Sequence, residues 1–369
     1  MLFRSLAPTV LAVMLLGIIR SMQAFEVELI LGTPAGIDVY STIIYRAMSQ
    51  QPPLYGVASV MAVAFLALSI PFIVAQQWIS QRHGHATVHG KFSGRLHDLG
   101  AWKWPLFWLV FLLVLLLTVL PVVMLLMGSF MRLFGHFELE SVWTLNNWIN
   151  ALSAPRILNS LYNTLILGFG AAISGTIIFT LLAYVVVRTR YAGRHILDFL
   201  TWLPTSMPGI VISLGFLFLF VGTPIFRPLY GSLVVLVIAV LLGTMTVGVQ
   251  LMRGALMQLS SELEEASMIT GASWLYTQWR ITLPLLAPAA AAVGLQVFAT
   301  AVSVVGIVAL LGTGTNQPLS ILQLIFLDNG RLEPSSVVGI LILVLTVGAA
   351  LLARFMALNA GIAREATGR

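Results

Sequence analysis

The sequence holds no cysteine in its 369 residues, and only 9% of it is charged. Without thiols it has no disulfides, no thiolate metal sites and no cysteine nucleophile. A soluble domain carries roughly 25% charged residues, so this chain lacks the polar surface needed to face water. The alternating ten-residue segments of a transmembrane β-barrel are missing too. So are the glycine-rich phosphate loop of nucleotide hydrolases and any Ser/His/Asp set, carboxylate pair or metal cluster at membrane depth. Those absences disfavour an intramembrane enzyme.

What is present is apolar: 59% hydrophobic residues and a mean hydropathy of +0.98. The apolar runs reach the roughly 20 residues that cross a bilayer as a helix. The fold class is therefore an all-α polytopic membrane protein. Eight spans are expected, at about 6–31, 54–77, 105–128, 160–187, 196–222, 232–252, 285–311 and 335–354. The first reads as a span and not a signal peptide, since no small-residue cleavage site with a soluble domain follows it. Pro204 and Pro208 interrupt the fifth. Gly168, Gly170, Gly175, Gly209 and Gly215 suit close helix approach in lipid.

Of the 19 Lys and Arg residues, thirteen fall on the side that holds both termini, five on the other, and Arg20 lies within a span. That asymmetry places both termini in the cytoplasm. The net charge of +6 sits at the ends of apolar runs and reads as topology, not as a nucleic-acid surface. Residues 78–104 form a cytoplasmic linker rich in Gly, His and basic side chains. The outer loops 129–158 and 312–334 are expected to hold short helices lying in the interface.

The sequence also repeats itself. A shift of 280 residues lays Leu6-Ala7-Pro8 on Leu286-Ala287-Pro288, and Leu31-Gly32-Thr33 on Leu311-Gly312-Thr313. Residues 1–77 thus read as a second copy of 281–356.

One polar stretch, SSELEEASMITGASWLYTQWRITLPLLAP at 260–288, stands between two long apolar runs. Ser261 and Glu264 have capping-box spacing, and Glu262, Glu264 and Glu265 put negative charge at a helix start. Gly271 can end that helix and Ser273 can cap a second. The expectation is a helix–turn–helix lying on the cytoplasmic membrane face.

Glu265-Ala266-Ser267, three residues, Gly271, nine residues, then Ile281-x-Leu283-Pro284 resembles the signature of type I ATP-binding-cassette (ABC) importer permeases. The family pattern has alanine where Ser267 stands. NSLYNTLILG at 159–168 resembles the entry to the family core. The resemblance implies a coupling helix that docks on separate ATPase subunits. Glu265 would contact the ATPase, Ala266 and Ser267 would permit close docking, and Gly271 would make the turn. It further implies a periplasmic or lipid-anchored substrate-binding protein, the bacterial inner membrane and no cofactor.

Residues 105–369 then read as a complete six-span half, and 1–77 as the last two spans of an incomplete first half. The arrangement, with residues 21–45, resembles two-half iron(III) permeases. Thiamine, polyamine, phosphonate or sulfate permeases share the same loop, and a secondary transporter is the rival from another class. The expectation is that Met1 is an internal methionine of a longer protein or the start of a split or truncated gene, with a second copy of the chain as the fallback.

Arg20, ionisable within a span, is a candidate for the translocation path, as is Glu26; Arg20 could instead snorkel or pair with Glu26 or Glu28. His83, His85 and His89 fit no metal spacing and read as solvated linker. Asn159 and Asn163 are explained by capping and helix–helix hydrogen bonds.

Overall fold

The computed structural model describes residues 23–83 and 100–367, with 14, 17, 18, 20 and 21 before them. Residues 6–13, 15, 16, 19 and 22 of the first expected span lie outside the described residues, as do His85, His89 and the side chain of His83. After a wide helical turn at Glu28–Gly32 come α1 (Tyr40–Ser49), α2 (Tyr55–His83), α3 (Gly100–Phe130) and α4 (Asn146–Ser153). They are followed by α5 (Pro155–Arg188), α6 (Arg194–Trp202), α7 (Gly209–Gly222) and α8 (Leu233–Gln258). The polar stretch forms α9 (Glu262–Ile269) and the start of α10 (Trp274–Ser303). Last are α11 (Leu319–Asp328) and α12 (Leu332–Thr367). Among the described residues there is no strand, only an isolated bridge between Met131 and Trp143.

Six of these helices, α2, α3, α5, α8, α10 and α12, are long and apolar enough to cross a membrane. The expected fifth span is instead two helical segments bent by 111° between Thr205 and Gly209, where Pro204 and Pro208 deny the ladder two donors. The 14 residues of α7 rise about 21 Å. Arg253 pairs with Asp198 at 2.9 Å and so ties α6 to α8. The apolar window of α3 has a mean hydropathy of 3.2 and buries nothing against the rest of the described chain. A helix apolar all round suits lipid on every side.

The core is the crossing of α5, α8 and α10. Phe179 is buried on α5 and lies over Gly248 of α8, where an added Cβ would stand 2.2 Å from its Cδ2. Phe298 of α10 fills the space over Gly168 of α5 in the same way, at 2.7 Å. Lipid tails give apolar side chains no drive to associate, so this close fit is what holds the helices. Of the glycines expected at such contacts, Gly168, Gly175 and Gly209 are packed tightly, whereas Gly215 meets nothing within 4 Å.

Two expectations are corrected. The span predicted at 285–311 begins earlier, at Trp274, and stops at Ser303; residues 306–311 are turns. The helix expected in the interface at 312–334 is instead buried: Leu319, Leu322 and Phe326 of α11 pack among α5 and α12. Asn163 Nδ2 donates to the Thr315 and Gln317 carbonyls (3.1 and 3.3 Å), and Thr164 Oγ1 accepts from the Leu319 N–H at 2.8 Å. Backbone that enters a membrane protein without spanning it must be satisfied in this way.

The 280-residue shift recurs in the backbone. A helix break at Ala24–Phe25 answers one at Val304–Val305. The ten-residue α1 answers the ten-residue α11, and a long helix follows each. A hydrogen bond recurs with its donor one residue out of that register: Ser41 Oγ donates to the Ala24 carbonyl at 2.6 Å, and Ser320 Oγ to the Val304 carbonyl at 2.8 Å. Each break frees a carbonyl, and a serine from the following short helix satisfies it.

Candidate functional site: a tethered handle and an axial cavity

The polar segment is held to the bundle by a side chain that the capping-box expectation assigned elsewhere. Ser261 has helical backbone angles and makes no side-chain cap; Ser260 Oγ accepts from the Glu262 N–H at 3.2 Å instead. Glu264 is therefore free to turn inward, where it is buried. Tyr184 of α5 donates its hydroxyl to Glu264 Oε2 at 3.1 Å. The same phenol oxygen accepts from Trp274 Nε1 at 3.0 Å and from Gln278 Nε2 at 3.1 Å. One donor and two lone pairs are all a phenol has, so its capacity is full.

Arg188, at the end of α5, stands with Nε 3.5 Å from Glu264 Oε1, an ion pair without a formed hydrogen bond. Its Nη2 donates to the Leu256 and Leu259 carbonyls at 3.1 and 2.6 Å. Those carbonyls lie at the C-terminal end of α8, where that of Leu256 also accepts from the capping Leu259 N–H at 3.3 Å, and a cation there is favoured by the helix dipole. One cluster thus links α5, α8, α9 and α10.

The turn follows the expected chemistry. Gly271 has φ +89°, a conformation other residues avoid, and Ser273 Oγ accepts from the Tyr276 N–H at 3.3 Å. Ser267, where the family pattern has alanine, is buried with its hydroxyl 2.9 Å from Thr277 Oγ1. That bond closes the two arms of the handle on each other. Glu265, Ala266 and Gly271 are exposed, as are Leu283 and Pro284, while Ile281 is half-buried. Beside the first three lies an apolar tip: Ile269 is 86% exposed, with Leu263, Met268 and Leu275 also open. Replacing Gly271 with valine is expected to strain the turn by about 1–3 kcal/mol and to loosen the two arms. Faster amide hydrogen exchange at 262–277, with the spans unchanged, would register it.

The second feature is a cavity of about 410 Å³ bordered by both copies of the repeat. Arg20, Gln23 and Glu26 line it from the first copy; Gln296, Thr300 and Gly306 line it from the second. Under the 280-residue shift Arg20 corresponds to Thr300 and Glu26 to Gly306. Glu26 Oε1 accepts from the Gly306 N–H at 3.2 Å. A two-fold relation between the copies would bring equivalents together at its axis, and this contact fits one passing through the cavity. Gln23 Nε2 donates to the Thr205 carbonyl at 2.8 Å across the same space. The pairing expected of Arg20 with Glu26 or Glu28 is not formed; the ion pairs among the described residues lie elsewhere.

Arg20 and Glu26 are thus brought to one cavity, far from the handle residues. Sequence reasoning missed Tyr184 and Arg188; Tyr184 stands 80 residues before the Glu264 it holds. The one legible signal was a charge, Arg188, at the very end of an apolar span.

A bundle of membrane-length helices with a tethered surface handle and a cavity at its repeat axis has the fold of an importer permease. A bacterial alginate ABC transporter, solved in complex with an alginate pentasaccharide-bound periplasmic protein, shares it: TM-score 0.57, 18% identity, 70% of this chain and 96% of that one. Residues 181–358, the part of the chain that carries the handle, match the family described as binding-protein-dependent transport system inner membrane component.

Among curated relatives, the ferric transport system permease protein FbpB of Actinobacillus pleuropneumoniae is 29% identical over 323 residues, 85% of this chain and 45% of that protein. A putative ferric transport system permease protein FbpB of Haemophilus influenzae is 29% identical over 306 residues, 78% of this chain and 45% of that one. The chain spans about half the length of the curated relatives it matches.

Proposed function

We propose that the chain is the membrane-spanning permease subunit of an ATP-driven importer, with separate ATPase subunits docking on the handle at 260–284. The observation that carries this reading is the handle: family spacing from Glu265 to Pro284, an 86%-exposed Ile269 at its tip, and firm attachment to the spans. Glu265, Ala266, Ser267 and Gly271 form or border the docking surface. Ile281, Leu283 and Pro284 carry its motion into α10. Alternating access then needs only that the handle move as a unit between two states.

Solute passes through the axial cavity past Arg20 and Glu26. The cargo we favour is iron(III), delivered by a periplasmic or lipid-anchored binding protein; the ferric transport relatives support it. The Lys and Arg asymmetry supports cytoplasmic termini in a bacterial inner membrane. In this reading 1–77 belong to a first permease half, 78–104 are linker and 105–369 are a second half. A further permease chain or a second copy completes the pair of handles.

Purification in mild detergent through a C-terminal tag, with identification of co-purifying chains, tests the reading. An ATPase is expected with the native protein and lost from Ile269→Asp, which places charge on the apolar tip. Solute uptake driven by an ion gradient in a preparation free of ATPase would refute the proposal in favour of a secondary transporter.

A further inference from the structure

The two charges in the axial cavity stand in different circumstances. Glu26 is engaged at the axis by the Gly306 N–H. Arg20 is exposed and has no hydrogen bond or ion pair among the described residues. Glu26 follows the helix break at Ala24–Phe25, so no continuous helix joins the two side chains. Thr300, its equivalent in the repeat, is a neutral liner of the same cavity. Of the two formal charges among the described liners, the one left without a partner is a guanidinium, permanently protonated and shaped to hold oxyanions in a fork.

We propose that the cavity beside Arg20 takes cargo presenting anionic oxygens, with Arg20 as the counter-charge, and turns bare metal cations away. The proposal rests on the reading of this cavity as the solute path. An iron(III) cargo would accordingly pass as a complex wrapped in oxyanion ligands, because a naked trication meets like charge at Arg20.

The absence of native cysteine makes a direct test clean. Thr300→Cys in the purified full chain is labelled with an anionic methanethiosulfonate (sulfonatoethyl) and a cationic one (trimethylammonioethyl). Each rate is divided by that of the same reagent with free mercaptoethanol. The anionic reagent is expected to be favoured by about tenfold, a ratio in the range set by one nearby charge. Arg20→Gln should erase the preference and Arg20→Lys should keep it. Equal rates, a cationic preference, no labelling, or a preference untouched by Arg20→Gln would overturn the proposal.

Protection experiments then name the source. Slowing by phosphate alone assigns a free oxyanion; slowing by iron(III) citrate beyond citrate alone assigns a coordinated metal. If neither slows the reaction, the cavity is not a cargo site and the proposal fails. Because the assay contains no ATPase, it fails or succeeds independently of ATPase capture.

Discussion

Gly248→Leu is expected to destabilise the bundle by about 3 kcal/mol or more, the upper range for forcing volume into a filled core. The ring of Phe179 already occupies the position, with Cδ2 and Cε2 at 2.2 and 2.7 Å from where the new Cβ must stand. Phe179 is itself 1% exposed and has no room to swing away. The α5–α8 crossing would have to open, and with it the attachment of the handle to both helices. A lowered midpoint of thermal unfolding in detergent checks this. Phe179→Ala in the same chain should recover much of the loss, since the two changes share one volume and cannot add independently. Strict additivity would show that the clash is relieved elsewhere.

The second large effect concerns coupling. Glu264→Ala removes the acceptor of the Tyr184 hydroxyl and the counter-charge of Arg188, whose side chain is 14% exposed. Breaking a mostly buried ion pair from one side costs about 3–5 kcal/mol; the carbonyls of Leu256 and Leu259, which still hold Arg188, should keep the loss toward the lower end. The outward surface of Glu265, Ala266 and Gly271 is untouched. ATPase should therefore still co-purify, while solute moved per ATP hydrolysed falls by about tenfold or more, a ratio that ~1.4 kcal/mol already produces. Glu264→Gln, which keeps an acceptor for Tyr184, should fall between the two. Hydrolysis and uptake measured in the same proteoliposomes give the ratio; an unchanged ratio in Glu264→Ala would show that the handle needs no such tether.

Much of this molecule was legible before its structure. Hydropathy marked the spans because burial in lipid is a property of each side chain, nearly independent of its neighbours. The Glu265-to-Pro284 spacing marked the handle because a turn at φ +89° constrains a single position, Gly271, and the docking face a few more. The repeat was legible as an order of features, Leu-Gly-Thr after a span at 31–33 and again at 311–313.

Other things were not legible, for reasons that can be named. The breaks at Ala24–Phe25 and Val304–Val305 fall inside apolar runs with no proline at either place. Hydropathy reports partition into lipid and is blind to the continuity of the backbone. The burial of α11 was likewise hidden: Leu319, Leu322 and Phe326 suit an interface and an interior equally well. Only Asn163 and Thr164, reaching from α5 to the loop and start of α11, decide between them.

The sequence by itself therefore determined an all-helical membrane chain, the position of its polar handle and its duplicated pattern, all of which depend on side-chain character and spacing along one chain. Tertiary structure alone decided that Glu264 faces Tyr184 and Arg188 instead of capping its own helix, and that Arg20 and Thr300 share a cavity. Those outcomes depend on which helices pack together, and that choice is made by pairs such as Gly248 with Phe179, whose fit exists only once both surfaces have met.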